Sequence, residues 1–258
     1  MNPEAVPLTR HIGRCVYCGS TDNLTDEHIV PHGLKGPWQL LKGSCNAYNQ
    51  ITSAFERSVL QEQFILPRVA LDLPTYHPKN RPQKFSFEVE KGGRKEKIVL
   101  PVTDCPPIFM MLDLEKPRYI ANYDYEKGVM VKGCSLHGPS QAKLKEKLSI
   151  EGISLTTSFA GNCFERVLAK IAYGMIILAY GSDALEECYV LPCILGQKDD
   201  VGYWVGSSGK DYRILPPEKA LHRIFLTVNG KEVGALIRLF ANYQTPEYLV
   251  IVGKLKQV

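Results

Sequence analysis

The feature that most restricts the fold of this chain is a group of cysteines near its start. Cys15 and Cys18 form a C-x-x-C pair, and Cys45 follows further along. The first fourteen residues contain no apolar secretory core, so we expect reduced thiols and a metal site rather than a disulfide. A segment of this length is too short to bury a core of its own, and a bound ion is the expected support for its fold.

The composition describes a globular chain and excludes several other classes of protein. Of its 258 residues, 45% are hydrophobic and 22% are charged, which excludes intrinsic disorder, collagen-like repeats and coiled coils. The longest apolar run, Met175 to Tyr180, is far shorter than the roughly 20 residues that cross a bilayer. We therefore expect a cytoplasmic protein with no membrane partner. The net charge of +4 permits a nucleic-acid partner but does not require one.

Chemically useful side chains lie in the run Asp26 to Pro31, between the cysteines. Hydrolysis of a phosphodiester needs an activated water and a cation that neutralises the developing charge. His28, with an ordinary pKa near 6.5, suits a general base, and Glu27 offers a hard oxygen to Mg²⁺ or Mn²⁺. Adjacent side chains on a strand point to opposite faces, so these two share a site only at a bend or a strand end.

The order of these residues, followed by Cys45 to Asn49 and by Ile51 to Glu56, resembles the zinc-supported form of the HNH endonuclease family. The resemblance is detailed over residues 15–66. It implies a ββα-metal module, with strands near Glu27 to Val30 and Trp38 to Leu41 and then a helix from Cys45. It also implies hydrolysis of DNA, with His28 as general base and with Glu27 and Asn49 holding Mg²⁺ or Mn²⁺.

Further expectations concern the partners of the module. Cys15, Cys18 and Cys45 would remain from the family's structural zinc site. Three basic residues flank the motif, and each is predicted either to contact phosphates or simply to be a solvated side chain: Lys35, Lys42 and Arg57. A homodimer would suit cleavage of both DNA strands, although no sequence feature requires one.

The chain departs from the family pattern at the fourth zinc ligand. The second C-x-x-C of the family would place a cysteine where this chain has Tyr48. A phenol is a poor zinc ligand because its pKa lies near 10. Three outcomes are open: His11 or Asp22 closes the site, zinc is held loosely, or the metal is lost and Tyr48 packs in its place.

A second departure lies before the helix, where the family has a polar residue that orients the catalytic histidine. Pro37 stands there and has neither a polar side chain nor an N–H. His28 is then oriented by a backbone carbonyl, or it is not oriented. The two departures support an alternative: a catalytically degenerate module that binds nucleic acid or a protein partner.

The predicted fold class is α+β, with an HNH-like module over residues 1–66, a linker over 67–82 and an α+β domain of unknown role over 83–258. We expect a helix from an N-cap at Ser44 to Pro67 and an amphipathic core helix from Phe164 that stops at Gly181. The predicted strands are antiparallel hairpins around Lys91-Gly92-Gly93 and Asn229-Gly230, and single strands at Ile108 to Leu112, Tyr119 to Tyr123 and Tyr248 to Val252.

Overall fold

The structure is a computed structural model that describes residues 6–106, 108–121, 130–135, 141–154, 158–211, 215–216 and 218–256. The first part of the chain is a small sheet followed by helices. Its elements are β1 (Thr9–His11), β2 (Leu24–His28), β3 (Gln39–Cys45), α1 (Asn46–Ser58) and α2 (Ile65–Ala70). The strand order is β1-β3-β2, in which β2 runs antiparallel to β3 and β1 runs parallel to it.

The predicted helix after Cys45 exists, but both of its ends differ from the prediction. Ser44 is not the N-cap, because β3 continues through it and the helix begins after Cys45. The helix does not run regularly to Pro67. A π-turn over Val59–Gln63 interrupts it, and α2 then begins. Pro67 explains the break, because a proline clashes with the carbonyl four residues earlier but is tolerated in the first turn of a new helix.

The middle of the chain contributes a hairpin, a two-stranded sheet and short helices. Its elements are β4 (Lys84–Lys91), β5 (Arg94–Pro101), β6 (Ile108–Asp113), α3 (Arg118–Ala121), β7 (Met130–Ser135), α4 (Gln141–Leu148) and β8 (Gly152–Ser154). The hairpin predicted around Gly92-Gly93 and the strand predicted from Ile108 are confirmed. The strand predicted at Tyr119 to Tyr123 is wrong over its described part, which is helix α3. Pro117, directly before α3, favours a helix start because its φ is already helical.

The last part of the chain is a long helix and an antiparallel sheet. Its elements are α5 (Cys163–Tyr180), β9 (Leu185–Cys188), α6 (Leu191–Ile194), β10 (Val205–Ser207), β11 (His222–Asn229), β12 (Glu232–Leu239) and β13 (Tyr248–Leu255). The sheet has the order β10-β13-β12-β11, with β9 also paired to β13. The Asn229-Gly230 hairpin, the third strand and the core helix that stops at Gly181 are confirmed.

Helix α5 joins the first part of the chain to the last. It packs on β12 and β13 and also contacts α1 and β3. Gly174 allows α5 to lie close to Ile29, because a Cβ at this position would be 3.0 Å from the Ile29 side chain. One buried cluster accordingly contains residues of all three parts, including Ile29, Phe109, Ile171 and Val250. The fold is α+β, as predicted. No helix among the described ranges is long and apolar enough to span a membrane.

Candidate functional site

The three cysteines of the motif meet at one place. Their sulfur atoms all lie within 4.8 Å of one another, and the Sγ atoms of Cys18 and Cys45 are 3.9 Å apart. Tetrahedral zinc with bonds of about 2.3 Å would separate two sulfurs by about 3.8 Å, so the spacing fits zinc. Burial raises the pKa of Cys15 to about 11, whereas the Tyr48 N–H at the start of α1 lowers the pKa of Cys45. A bound cation would favour the thiolate of Cys15.

The fourth position of this cluster is not filled by a side chain predicted from the sequence. Among the residues that the structure describes, the group contains only the three cysteines, so neither His11 nor Asp22 belongs to it. Tyr48 instead stacks on Tyr17, with ring centroids 6.0 Å apart and planes inclined by 14°. Tyr48 therefore has a packing role, and a metal ion on the three thiols would need water or another group as its fourth ligand.

Glu27, His28 and Asn49 line one cleft of about 450 Å³ between the end of β2 and the first turns of α1. The strand geometry explains how the first two share it. His28 is the last residue of β2, and the pairing with β3 shifts register between Thr25 and Glu27. An irregular strand end relaxes the alternation of side chains that a regular strand imposes.

The His28 ring is half-buried and contacts a polar side chain on the neighbouring strand. Gln39 lies opposite His28 in the β2–β3 ladder, and its side-chain amide is 3.4 Å from Nδ1. As the contact stands, the Gln39 N–H donates to Nδ1, which places the proton of the neutral ring on Nε2. If the amide is turned so that its oxygen faces the ring, Gln39 accepts the Nδ1 proton and leaves Nε2 free as a base. Burial, followed by the nearby His32 ring and the Lys170 ammonium, lowers the pKa of His28, which favours the neutral ring.

This arrangement answers the question that Pro37 raised. The His28 ring has a partner, and this partner is a side chain and not a backbone carbonyl. Gln39, two residues beyond Pro37, places its side-chain amide beside Nδ1 of His28. The sequence motif did not indicate Gln39, because Gln39 lies two residues beyond the position at which the family has its orienting residue. The pairing of His28 with Gln39 was accessible in principle from the register of the two strands.

A buried lysine stands at the back of the cleft. Lys170, on α5, places its Nζ atom 2.6 Å from a carboxylate oxygen of Glu27 and 2.6 Å from one of Glu56. It also donates to the backbone carbonyl of His28. Burial alone would lower the pKa of Lys170, but the two carboxylates raise it above its usual value. The ammonium thus links the end of β2 to the last turn of α1.

The oxygen donors in the cleft are of the kind that hard divalent cations bind. Glu27 and Glu56 supply carboxylates, and Asn49 supplies an amide oxygen. The Asn49 oxygen accepts from the Ser53 hydroxyl at 2.8 Å, and its nitrogen donates to Thr25. The donor chemistry therefore fits Mg²⁺ or Mn²⁺. Glu27 already binds Lys170 and hydrogen-bonds the Tyr17 hydroxyl, so a cation there would share its carboxylate.

The three basic residues that flank the motif differ in their position relative to the cleft. Arg57 is exposed and lines the cleft, whereas Lys35 and Lys42 are exposed and do not line it. Lys42 lies within β3 with a positive φ, where its N–H donates to Asp26 and its ammonium to the Leu24 carbonyl. Arg57 is therefore the best placed of the three for a ligand in the cleft.

The fold also brings residues to the cleft that sequence reasoning did not select. Lys170 was overlooked because α5 has the pattern of an ordinary core helix, although a lysine between Ala169 and Ile171 was a signal. His32 and Tyr76 stack across the cleft wall, with ring centroids 4.4 Å apart. Their contact joins distant parts of the chain, so no local pattern indicates it.

Comparison with known proteins found no matching family model, no matching curated protein and no matching solved structure.

Proposed function

We propose that this chain is a metal-dependent HNH-type endonuclease that hydrolyses phosphodiester bonds in DNA. The observation that carries the proposal is the meeting of His28, Glu27 and Asn49 in one cleft, with Gln39 against the second nitrogen of His28. The same cleft holds Arg57, a cation suited to a phosphate. The order of β2, β3 and α1 corresponds to the ββα arrangement that the resemblance implies.

His28 acts in this proposal as the general base. Its neutral Nε2 takes a proton from water, the water oxygen forms a bond to phosphorus, and the phosphorus bond to the leaving oxygen breaks. The leaving alkoxide then takes a proton from solvent. Gln39 would hold the ring in the required tautomer once its amide is turned so that the oxygen, not the nitrogen, faces Nδ1. The lowered pKa of His28 favours the unprotonated base at neutral pH.

Glu27 and Asn49 would hold Mg²⁺ or Mn²⁺, and Glu56 offers a further carboxylate beside Glu27. When bound, such a cation neutralises the charge that develops on the phosphate. Zn²⁺ is proposed separately for Cys15, Cys18 and Cys45, where it would attach the C-x-x-C loop to the start of α1.

A second candidate function is a degenerate module that binds nucleic acid without cutting it. The specific observation in its favour is the engagement of Glu27 by Lys170 and Tyr17, which reduces the charge available to a divalent cation. Salt-dependent DNA binding with no cleavage would identify this candidate.

The test is conversion of supercoiled plasmid to nicked and linear forms, with Mg²⁺, Mn²⁺ or no added divalent cation. The proposal predicts cleavage by wild type with Mg²⁺ or Mn²⁺ only. Asn49→Ala should lose cleavage, and Gln50→Ala, which changes a neighbouring exposed amide, should not. Wild-type protein that binds DNA but never cuts it would exclude the nuclease.

A further inference from the structure

Three aromatic rings lie in a row along the wall of the cleft, and only the first, His28, has a role in the proposed hydrolysis. His28 meets His32 edge to face, with centroids 5.2 Å apart and planes inclined by 62°. His32 then stacks on Tyr76, with centroids 4.4 Å apart and planes inclined by 19°. The Tyr76 ring is thus separated from the proposed general base by a single imidazole.

Tyr76 is open on the side away from His32. Its relative exposure is 72%, and it lines the same cleft as His28. An aromatic ring with one face covered and the other in solvent offers a flat apolar surface for a second ring. The cleft therefore contains a stacking surface as well as a candidate site for hydrolysis.

The stack is held in place by Arg68, a partly buried side chain of α2. Its guanidinium donates to the Gly33 carbonyl at 3.0 Å, next to His32, and to the Pro74 carbonyl at 3.4 Å, two residues before Tyr76. A third bond goes to the Leu60 carbonyl. One cation thus joins the backbones that carry the two rings, so little freedom is lost when a ligand stacks on them.

His32 adds a polar group that lacks a partner. Within the described part of the chain, its buried Nδ1 atom has no hydrogen-bond partner. A buried ring nitrogen is normally satisfied by protein, water or ligand. The wall therefore offers a polar atom beside the stacked pair, and Arg57 lines the same cleft with a cation suited to a phosphate.

We propose that Tyr76, backed by His32, is a stacking platform for an unpaired nucleobase, so that the substrate is single-stranded or locally unpaired nucleic acid. The choice over a duplex follows from geometry. Paired bases are covered on both faces by their neighbours, and only an unstacked base can place its face on a tyrosine. This proposal rests on the proposed function for the identity of the ligand as nucleic acid.

The test is fluorescence anisotropy with a labelled 12-nucleotide single strand, as DNA and as RNA, and with the matching 12-base-pair DNA duplex, without added Mg²⁺ or Mn²⁺. Tyr76→Ala should weaken single-strand binding by about 5- to 100-fold and change duplex binding by less than about twofold. Tyr76→Phe, which keeps the ring, should bind like wild type. Tyr180→Ala removes another exposed tyrosine, on the last turn of α5, and should have no effect.

Three results would overturn the platform: unchanged single-strand binding by Tyr76→Ala, an equal loss of single-strand and duplex binding, or no single-strand binding by wild type. Comparison of the DNA single strand with the RNA single strand shows whether binding also depends on the sugar. Failure of the nuclease is recognised separately, because Tyr76-dependent binding without plasmid cleavage removes the hydrolysis and keeps the platform. Plasmid cleavage without Tyr76-dependent binding keeps the hydrolysis and removes the platform.

Discussion

At the scale of single residues, Lys170 is a buried cation that two carboxylates share. Its side chain is 2% exposed, and it pairs with buried Glu27 on β2 and with partly buried Glu56 on α1. Removing one member of a buried ionic group leaves the others without compensation, which is far more costly than the net contribution of the intact group.

Lys170→Met should therefore lower the free energy of unfolding by about 3–5 kcal/mol, measured by urea denaturation. Lys147→Met is the control, because Lys147 forms an exposed ion pair with Asp104 and should change stability by less than about 1 kcal/mol. A Lys170→Met protein as stable as the control would show that Glu27 and Glu56 do not depend on the ammonium.

His222 is a second buried residue whose charge state matters, and it connects β11 to the turn after β2. It contacts the Leu34 carbonyl through Nε2 at 2.6 Å and accepts from the Phe240 N–H through Nδ1 at 3.2 Å. Only the neutral ring fits both contacts. Burial lowers its pKa to about 4, so the unfolded chain binds a proton from pH 6.5 downwards before the folded chain does.

The stability contributed by His222 is thus complete above pH 6.5 and falls as the pH drops towards 4. The loss amounts to about 3 kcal/mol. Urea denaturation from pH 7 to pH 4 should show a steeper loss for wild type than for His222→Gln, whereas exposed His77→Gln should follow wild type. Parallel curves for wild type and His222→Gln would contradict the assignment.

At the scale of elements, the start of α1 decides whether the cysteines form a strong metal site. Cys45 caps the helix, and Tyr48 lies one turn later and stacks on Tyr17. If zinc binds three thiolates and water, a fourth thiolate at position 48 would complete the usual tetrahedral set.

Tyr48→Cys should tighten zinc binding by about tenfold or more, measured by competition with a chromogenic chelator. Tyr48→Phe keeps the stacking ring and should bind zinc like wild type. If Tyr48→Cys binds no more tightly than wild type, position 48 does not face the metal. If neither protein binds zinc, the three thiols do not form a zinc site.

The sequence predicted the helices and strands better than it predicted the tertiary contacts between them. Alternation and Asn-Gly or Gly-Gly turns located the hairpins, because both signals are local. The helix after Cys45 was also located, but its π-turn was not, since the break depends on how Pro67 and the preceding turn adjust together. In the site, His28 and Glu27 were visible as a motif, whereas Gln39 required the strand register and Lys170 required the docking of α5.

At the scale of the whole molecule, the first part of the chain does not have a separate core. Tyr17, Ile29 and Leu34 belong to the same buried cluster as Ile171 on α5 and Val250 on β13. Tyr173 on α5 also donates to the Val16 carbonyl at 2.5 Å, beside the C-x-x-C pair. The site therefore depends on α5 for its support.

A fragment of residues 1–82 should consequently fail to fold alone. We expect no cooperative thermal transition by circular dichroism and poor dispersion in a proton NMR spectrum, with or without Zn²⁺, because the fragment exposes the face that α5 covers. The full chain is the control. Cooperative unfolding of the zinc-loaded fragment would show that the module is autonomous.

The role of His28 as general base is tested by the cleavage rate of supercoiled plasmid in Mg²⁺ by wild type, His28→Ala and His11→Ala. His11 is an exposed histidine outside the cleft lining and serves as the matched control. We expect a loss of about 100- to 10 000-fold for His28→Ala and an unchanged rate for His11→Ala. Equal cleavage by wild type and His28→Ala would show that His28 is not the general base and that another group activates the water.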